Sequence, residues 1–253
     1  WSGAAFCRFS SPFPVTDNVA ELRSIIGPID LCPEMEFTWS GLDEYLELLE
    51  ATPGGTNVVP LIGHGSLRQW FVGPTTVAPD DGDLQRMCAE LARSLRAGVW
   101  GMSLGLMYAR GELADRRELS LLAREVARYD GLVSAHMRSY AAEELSNSVR
   151  EVVDIVCNSG VRFQISHLRS IGDQHAEGMN AALDHLTDSG LDIEADAYPY
   201  LAGQTTLLQL FPPEVRSRGP RAVLAYIRDE PAQAMRSLRS RKTGGEAITV
   251  AKN

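Results

Sequence analysis

Five histidines occur in the 253 residues, at positions 64, 136, 167, 175 and 185, and two of them close apolar runs in the same way. His136 ends the run Leu132-Val133-Ser134-Ala135-His136, and His167 ends Val161-Arg162-Phe163-Gln164-Ile165-Ser166-His167. Imidazole is a common metal ligand and suits zinc. Two histidines at equivalent points of successive units could therefore share one ion. The other reading is two polar residues that cap a helix or bond to a loop. A third run ends in Asp196-Ala197-Tyr198-Pro199-Tyr200, a carboxylate and two phenols that could orient a substrate or simply form a turn. His64 lies between Gly63 and Gly65, which allow close backbone approach, so it reads as a support for ligands rather than a ligand. Cys7 is either a small buried hydrophobe or a thiolate able to bind zinc beside the two histidines. His175 and His185 fit a solvated helix face.

Gly101-Met102-Ser103-Leu104-Gly105 matches the G-x-S-x-G pattern of a serine nucleophile. That chemistry needs a sharp turn from strand to helix at the serine itself. Here the next clear helical pattern starts only at about Asp115 or Arg116, so a serine hydrolase using Ser103 is the weaker alternative.

The elements that must position these residues form a repeat. Helical stretches end in Gly98, Gly131, Gly160 and Gly190, and an apolar run follows each at once. The intervals are 33, 29 and 30 residues. A glycine just past a helix suits a left-handed C-terminal cap. Apolar runs alternating with amphipathic helices indicate βα units and a parallel sheet. Strands are expected to end near Phe9, Ile62, Leu104, His136, His167 and Asp196, with Asn57 to Ile62 as one complete strand. Helices are expected at Gly41 to Ala51 and Asp80 to Arg96, the latter with Asp80 to Asp83 supplying a cap and negative charge at its start. After Tyr200 the pattern changes: Pro212-Pro213 interrupts it, and two short helices are expected at Pro220 to Arg228 and Pro231 to Arg241.

The formal charge of −9, with 44% hydrophobic and 23% charged residues, is that of a globular protein. The acidic balance and the lack of a basic stripe argue against nucleic-acid binding. No apolar run reaches the roughly 18–20 residues of a membrane helix, and no signal-peptide pattern opens the chain. Four cysteines, at 7, 32, 88 and 157, form no CxxC pair, which suits a reducing compartment, the cytoplasm. Lysine occurs only at 242 and 252.

Five segments carry a family resemblance. Asn57-Val58-Val59-Pro60-Leu61-Ile62-Gly63-His64-Gly65-Ser66-Leu67-Arg68, Gly101 to Tyr108, Ser134-Ala135-His136-Met137-Arg138, Gln164-Ile165-Ser166-His167-Leu168 and Asp196 to Tyr200 stand in the order found in D-aminoacylases. The chain thus resembles these N-acyl-D-amino-acid deacylases of the amidohydrolase superfamily. The resemblance implies an α/β fold, a TIM-like (β/α) barrel that binds one or two zinc ions and hydrolyses the amide of a small N-acyl-D-amino acid. It implies metal ligation by Cys7, His136 and His167, and substrate contacts from Tyr108, Arg169 and Tyr198; His64 and Asp196, from their places after apolar runs, are supporting candidates. Arg8 follows Cys7 where the family usually has Gly, Arg169 stands where it commonly has Lys, and Gln204 replaces a common Ser. The lysine count excludes a carboxylated-lysine metal bridge before residue 242.

The family's His-x-His motif is not found in the 253 residues, nor is a last strand ending in a general-base Asp, which is expected beyond residue 253. The expectation is therefore a partial barrel over 1–205 that lacks its first and last strands. The start of an inserted or C-terminal subdomain is expected over 206–253. Such a chain is expected to be inactive alone while its parent enzyme is a zinc hydrolase. A non-catalytic fragment or interaction module is the alternative.

Overall fold

The computed structural model describes residues 38–39, 41–52, 57–73, 78–108, 110–172, 174–200, 209, 211–216 and 220–240. The expected strand at Ala4 to Phe9, and Cys7 within it, lie outside the described residues, as does Gln204.

Helices and strands alternate along the chain: α1 Leu42–Ala51, β1 Ile62–Gly63, α2 His64–Phe71, α3 Asp81–Arg96, β2 Gly101–Gly105, α4 Arg116–Ala127, β3 Leu132–His136, α5 Ala142–Ser159, β4 Arg162–Ile165, α6 His175–Ser189 and β5 Ile193–Ala195. A 3-10 turn at Gly111–Leu113 separates β2 from α4. The described strands form one parallel sheet in the order β1-β2-β3-β4-β5. Sequential parallel neighbours joined by helices are what the 30-residue repeat requires. The strand expected from Asn57 is shorter than the apolar run suggested. Among the described residues the ladder pairs Ile62 and Gly63 with Met102 and Ser103, and Pro60 O accepts from Trp100 N–H at 3.0 Å, while Val58 and Val59 are exposed.

The two faces of the sheet differ in kind, because successive strand residues point to opposite sides. Met102, Leu104, Val133, Ala135, Phe163 and Ile165 join the main core, with Met87 and Leu91 from α3, Leu119 and Leu122 from α4, and Val149 and Val152 from α5. On the other face, Gly63, Ser103, Ser134, Gln164 and Glu194 stand at one level across the sheet. His136 extends the Ser134 side of β3 toward its C-terminal end.

The helix ends follow local rules with one exception. Asp80 and Asp83 form a reciprocal capping box at the start of α3, as the acidic run predicts. Gly160 and Gly190 end α5 and α6 in the left-handed conformation, with φ of 68° and 62°. At the end of α4 it is Asp130 that adopts positive φ, 54°. Gly131 serves there for space: a Cβ would meet Val126 Cγ1 at 2.7 Å.

A second, small core of Phe211, Val223 and Ala234 holds α7 Pro213–Arg216, α8 Pro220–Asp229 and α9 Pro231–Ser240 together. The helices expected after Pro220 and Pro231 are thus present. Arg216 Nη2 reaches Glu112 Oε2 at 2.8 Å and ties this group to the 3-10 turn.

One fully enclosed ion cluster links α2 to α4. Glu118 accepts from Arg68 Nη1 at 2.5 Å through Oε2 and lies 2.7 Å from His64 Nε2 through Oε1, and all three side chains are completely buried. Removing the carboxylate takes away the buried acceptor that both Arg68 and His64 face. Glu118→Ala is therefore expected to lower stability by about 3–5 kcal/mol in urea unfolding. Asp80→Ala, at an exposed cap, should cost about 1 kcal/mol. Equal small effects would contradict the role given to the cluster.

Candidate metal centre

β3 and β4 bring His136 and His167 together at the C-terminal edge of the sheet. Both rings are nearly closed off from solvent, at 3% and 4% exposure. His136 Nδ1 lies 3.1 Å from His167 Nε2, with ring centroids 4.6 Å apart. Strand alternation alone would not produce this pair. Residues 163 and 165 face the helices, so an uninterrupted β4 would send residue 167 the same way. Instead the strand ends at Ile165, and His167 adopts the left-handed conformation with φ of 42°. That turn re-aims its ring toward His136.

Asp196, just past β5, meets His167 through its carboxylate. Oδ1 accepts the His167 backbone N–H at 2.6 Å, and Oδ2 accepts from Gln164 Nε2 at 2.8 Å. The Asp196 main chain bonds on both sides of the turn, donating to Ile165 O and accepting from Leu168 N. Ser134 Oγ and Ser166 Oγ, 2.9 Å apart, cross-link β3 to the same turn.

Aromatic rings wall the histidines. Tyr108 Oη lies 3.4 Å from His136 Nδ1, with ring centroids 4.6 Å apart. Tyr140, fully buried, packs edge-on to His136 and tilted against His167, at centroid distances of 5.0 and 5.2 Å. Its hydroxyl accepts from Met137 N–H and donates to Ser166 O. Sequence reasoning overlooked Tyr140, although a phenol four residues after a strand-end histidine was a signal that could have found it. Arg169 places its guanidinium 5.7 Å from the Tyr140 ring and 5.4 Å from the Tyr198 ring, within cation–π range of both. Tyr198 stands 6.3 Å from His167, and Tyr200 stacks beside it at 6.2 Å, largely exposed.

The structure thus brings together Tyr108, His136, His167, Arg169, Asp196 and Tyr198. His64 is elsewhere in its bonding, held by Glu118 at the start of α2. His175 opens α6 in an exposed position, and His185 accepts from Arg150. Ser103 sits inside β2, paired with Ser134 and followed by strand through Gly105. No helix turns at it, so the geometry of a nucleophile elbow is lacking.

Burial pushes the His136 pKa well below the ordinary histidine value, and the neighbouring His167 and Arg169 add to the effect. Burial lowers His167 as well, with Arg169 acting in the same direction and the backbone hydrogen bond and Asp196 against it. Both rings are therefore neutral near pH 7, the state in which imidazole binds a metal. Two ligand nitrogens on one tetrahedral zinc, each at about 2.0–2.1 Å, stand about 3.3 Å apart, close to the separation observed. His136 Nε2 and His167 Nδ1 are buried with no hydrogen-bond partner. Among the described residues no three His, Cys, Asp or Glu side chains gather closely enough to hold an ion by themselves. The pair fits zinc as two ligands of a larger set.

These shifts fix a pH dependence for the metal-free chain. The unfolded chain takes up protons on these histidines below about pH 6.5, while the folded chain refuses them. Stability is full above that value and falls as the pH drops toward the depressed folded values. The melting temperature should decline between about pH 7 and pH 5, and the double variant His136→Asn/His167→Asn should show a shallower decline. Identical slopes would count against the burial argument.

No family model matches the chain. An N-acyl-D-glutamate deacylase of Alcaligenes xylosoxydans xylosoxydans is 29% identical over 202 residues, covering 78% of this chain and 40% of the relative. A D-aminoacylase of the same organism is 27% identical over 186 residues, covering 72% and 38%. Among solved structures, the N-acyl-D-glutamate deacylase of Bordetella bronchiseptica, complexed with zinc and a phosphonate mimic of the tetrahedral intermediate, superposes with a TM-score of 0.63. It shares 29% identity and covers 76% of this chain and 39% of its own. The chain spans about two fifths of the length of the curated relatives it matches.

Proposed function

We propose that this chain, a relative of the D-aminoacylases and N-acyl-D-glutamate deacylases, belongs to a zinc-dependent hydrolase of N-acyl-D-amino acids in which His136 and His167 are two of the metal ligands. One observation carries the reading: two buried histidines approach to 3.1 Å at the C-terminal edge of a parallel sheet. That edge is where βα folds place their chemistry.

His136 and His167 would hold zinc, which would supply Lewis-acid chemistry for amide hydrolysis. The chain's own residues orient and enclose the substrate. Tyr108, whose hydroxyl is beside His136, donates a hydrogen bond to the amide oxygen in this reading. Arg169 lies against the faces of Tyr140 and Tyr198, and its fork can grip the amino-acid carboxylate through two hydrogen bonds. Tyr108 and Tyr140 wall the two histidines and keep them buried. Cys7 completes the ligand set in this reading. The proton-transferring Asp and the His-x-His motif are supplied by the parent protein, and residues 1–253 alone do not turn over substrate. The parallel sheet is part of a barrel over 1–205, and the small core around Phe211 supports a second unit over 206–253. The wide spacing of the cysteines favours the cytoplasm.

Elemental analysis of the purified protein tests the metal assignment. Zinc should be present at about one equivalent or more and fall at least tenfold in His136→Ala and in His167→Ala. Undiminished zinc in both variants would refute the ligand assignment. In the parent enzyme, Arg169→Ala should raise KM for N-acetyl-D-amino acids by at least about tenfold with a smaller change in kcat, the mark of lost ground-state binding. An unchanged KM would remove Arg169 from the carboxylate site.

A further inference from the structure

The ring nitrogen of His167 that faces away from His136 has no partner. Histidine ligands are ordinarily aimed by a hydrogen bond on that second nitrogen, from a carboxylate, a carbonyl or a water. Here the aiming is done on the backbone. His167 is one of three non-glycine residues with positive φ among the described residues, and a histidine in that region is held there at a cost. All four groups that Asp196 can offer are engaged at or beside this turn. Its N–H bonds Ile165 O at 3.1 Å, and its carbonyl takes Leu168 N–H at 2.7 Å. Its Oδ1 takes the His167 N–H at 2.6 Å, and its Oδ2 is fixed by Gln164 Nε2 at 2.8 Å.

We infer that Asp196 is a positioning residue that holds His167 in its left-handed, metal-facing conformation through the His167 backbone amide, with Gln164 locking the carboxylate. The inference rests on the zinc reading above for its consequence, and on geometry alone for the latch. Hydrogen bonding does this work, not charge. An asparagine keeps an oxygen for the amide of residue 167, and its Nδ2 can donate to Gln164 Oε1 once that amide turns over.

Two measurements on the 253-residue chain test the inference. The first is hydrogen exchange at the His167 amide in the metal-free protein, followed by NMR. The second is zinc affinity by competition with a chromophoric chelator. Asp196→Ala should remove protection of that amide and weaken zinc by about 10–100-fold. Asp196→Asn should keep the protection and bind zinc within about threefold of the native chain. Gln164→Ala, a milder change if Asp196→Ala does not fold, should give a smaller loss in both readings. A purely structural role would not separate Asn from Ala at the same thermal stability. Unchanged His167 protection in both Asp196→Ala and Gln164→Ala would overturn the latch, and so would Asp196→Asn binding zinc as weakly as Asp196→Ala. If the native chain binds no zinc, the metal reading fails, and amide protection alone decides whether the latch stands.

Discussion

A strand in a parallel sheet has two faces, and in this chain the two carry different work. Residues 102, 104, 133, 135, 163 and 165 are apolar and lie under α3 to α6, where their burial supplies most of the cohesion. The alternate positions are Ser103, Ser134, Gln164 and Glu194, small or polar, with His136 at the C-terminal end. Because the pleat fixes the alternation, the helices cannot bury one set without presenting the other. Everything at the candidate centre depends on that separation. His136 reaches it by staying in register. His167 reaches it by leaving register, through a left-handed turn stitched to the next strand by Asp196.

The electrostatics of the pair follow from the same burial. Two imidazoles enclosed by Tyr108 and Tyr140 and faced by Arg169 resist protonation. The positive charge of Arg169 lies against aromatic faces rather than a carboxylate. It therefore depresses the histidines. The enclosed cluster of His64, Arg68 and Glu118 follows the opposite plan, with each charge answered inside the protein. The two treatments of histidine differ in what the ring faces: His64 faces a buried carboxylate, while His136 and His167 face each other.

Much of this was legible beforehand. Glycine spacing located the βα units, because few other residues end a helix in the left-handed conformation. Gly160 and Gly190 do so, and Asp130 does it ahead of Gly131. The acidic start of α3 announced its capping box, which depends only on residues three apart. Strand-end position singled out His136 and His167. Less legible was Asn57 to Leu61, where apolar character suggested a continuous strand but, among the described residues, ladder pairing starts at Ile62 after a single bond from Trp100 N–H to Pro60 O. Ladder hydrogen bonds need a neighbour, and hydropathy does not reveal one. Tyr140, Gln164 and Glu118 also escaped notice, since each acts on a residue in a different element.

By itself, then, the sequence determined the alternation of helix and strand, the polarity of each strand face and the identity of the two histidines. All of these are encoded in short-range periodicity and in single residue types. Only the tertiary structure decided that His136 and His167 meet at 3.1 Å, that His167 turns to do so, and that Asp196 holds it. It also decided that His64 bonds to Glu118, 54 residues away. The reason is physical: these arrangements depend on distances between chain segments some 30 to 50 residues apart, and those distances are set when the apolar faces of separate strands and helices pack together.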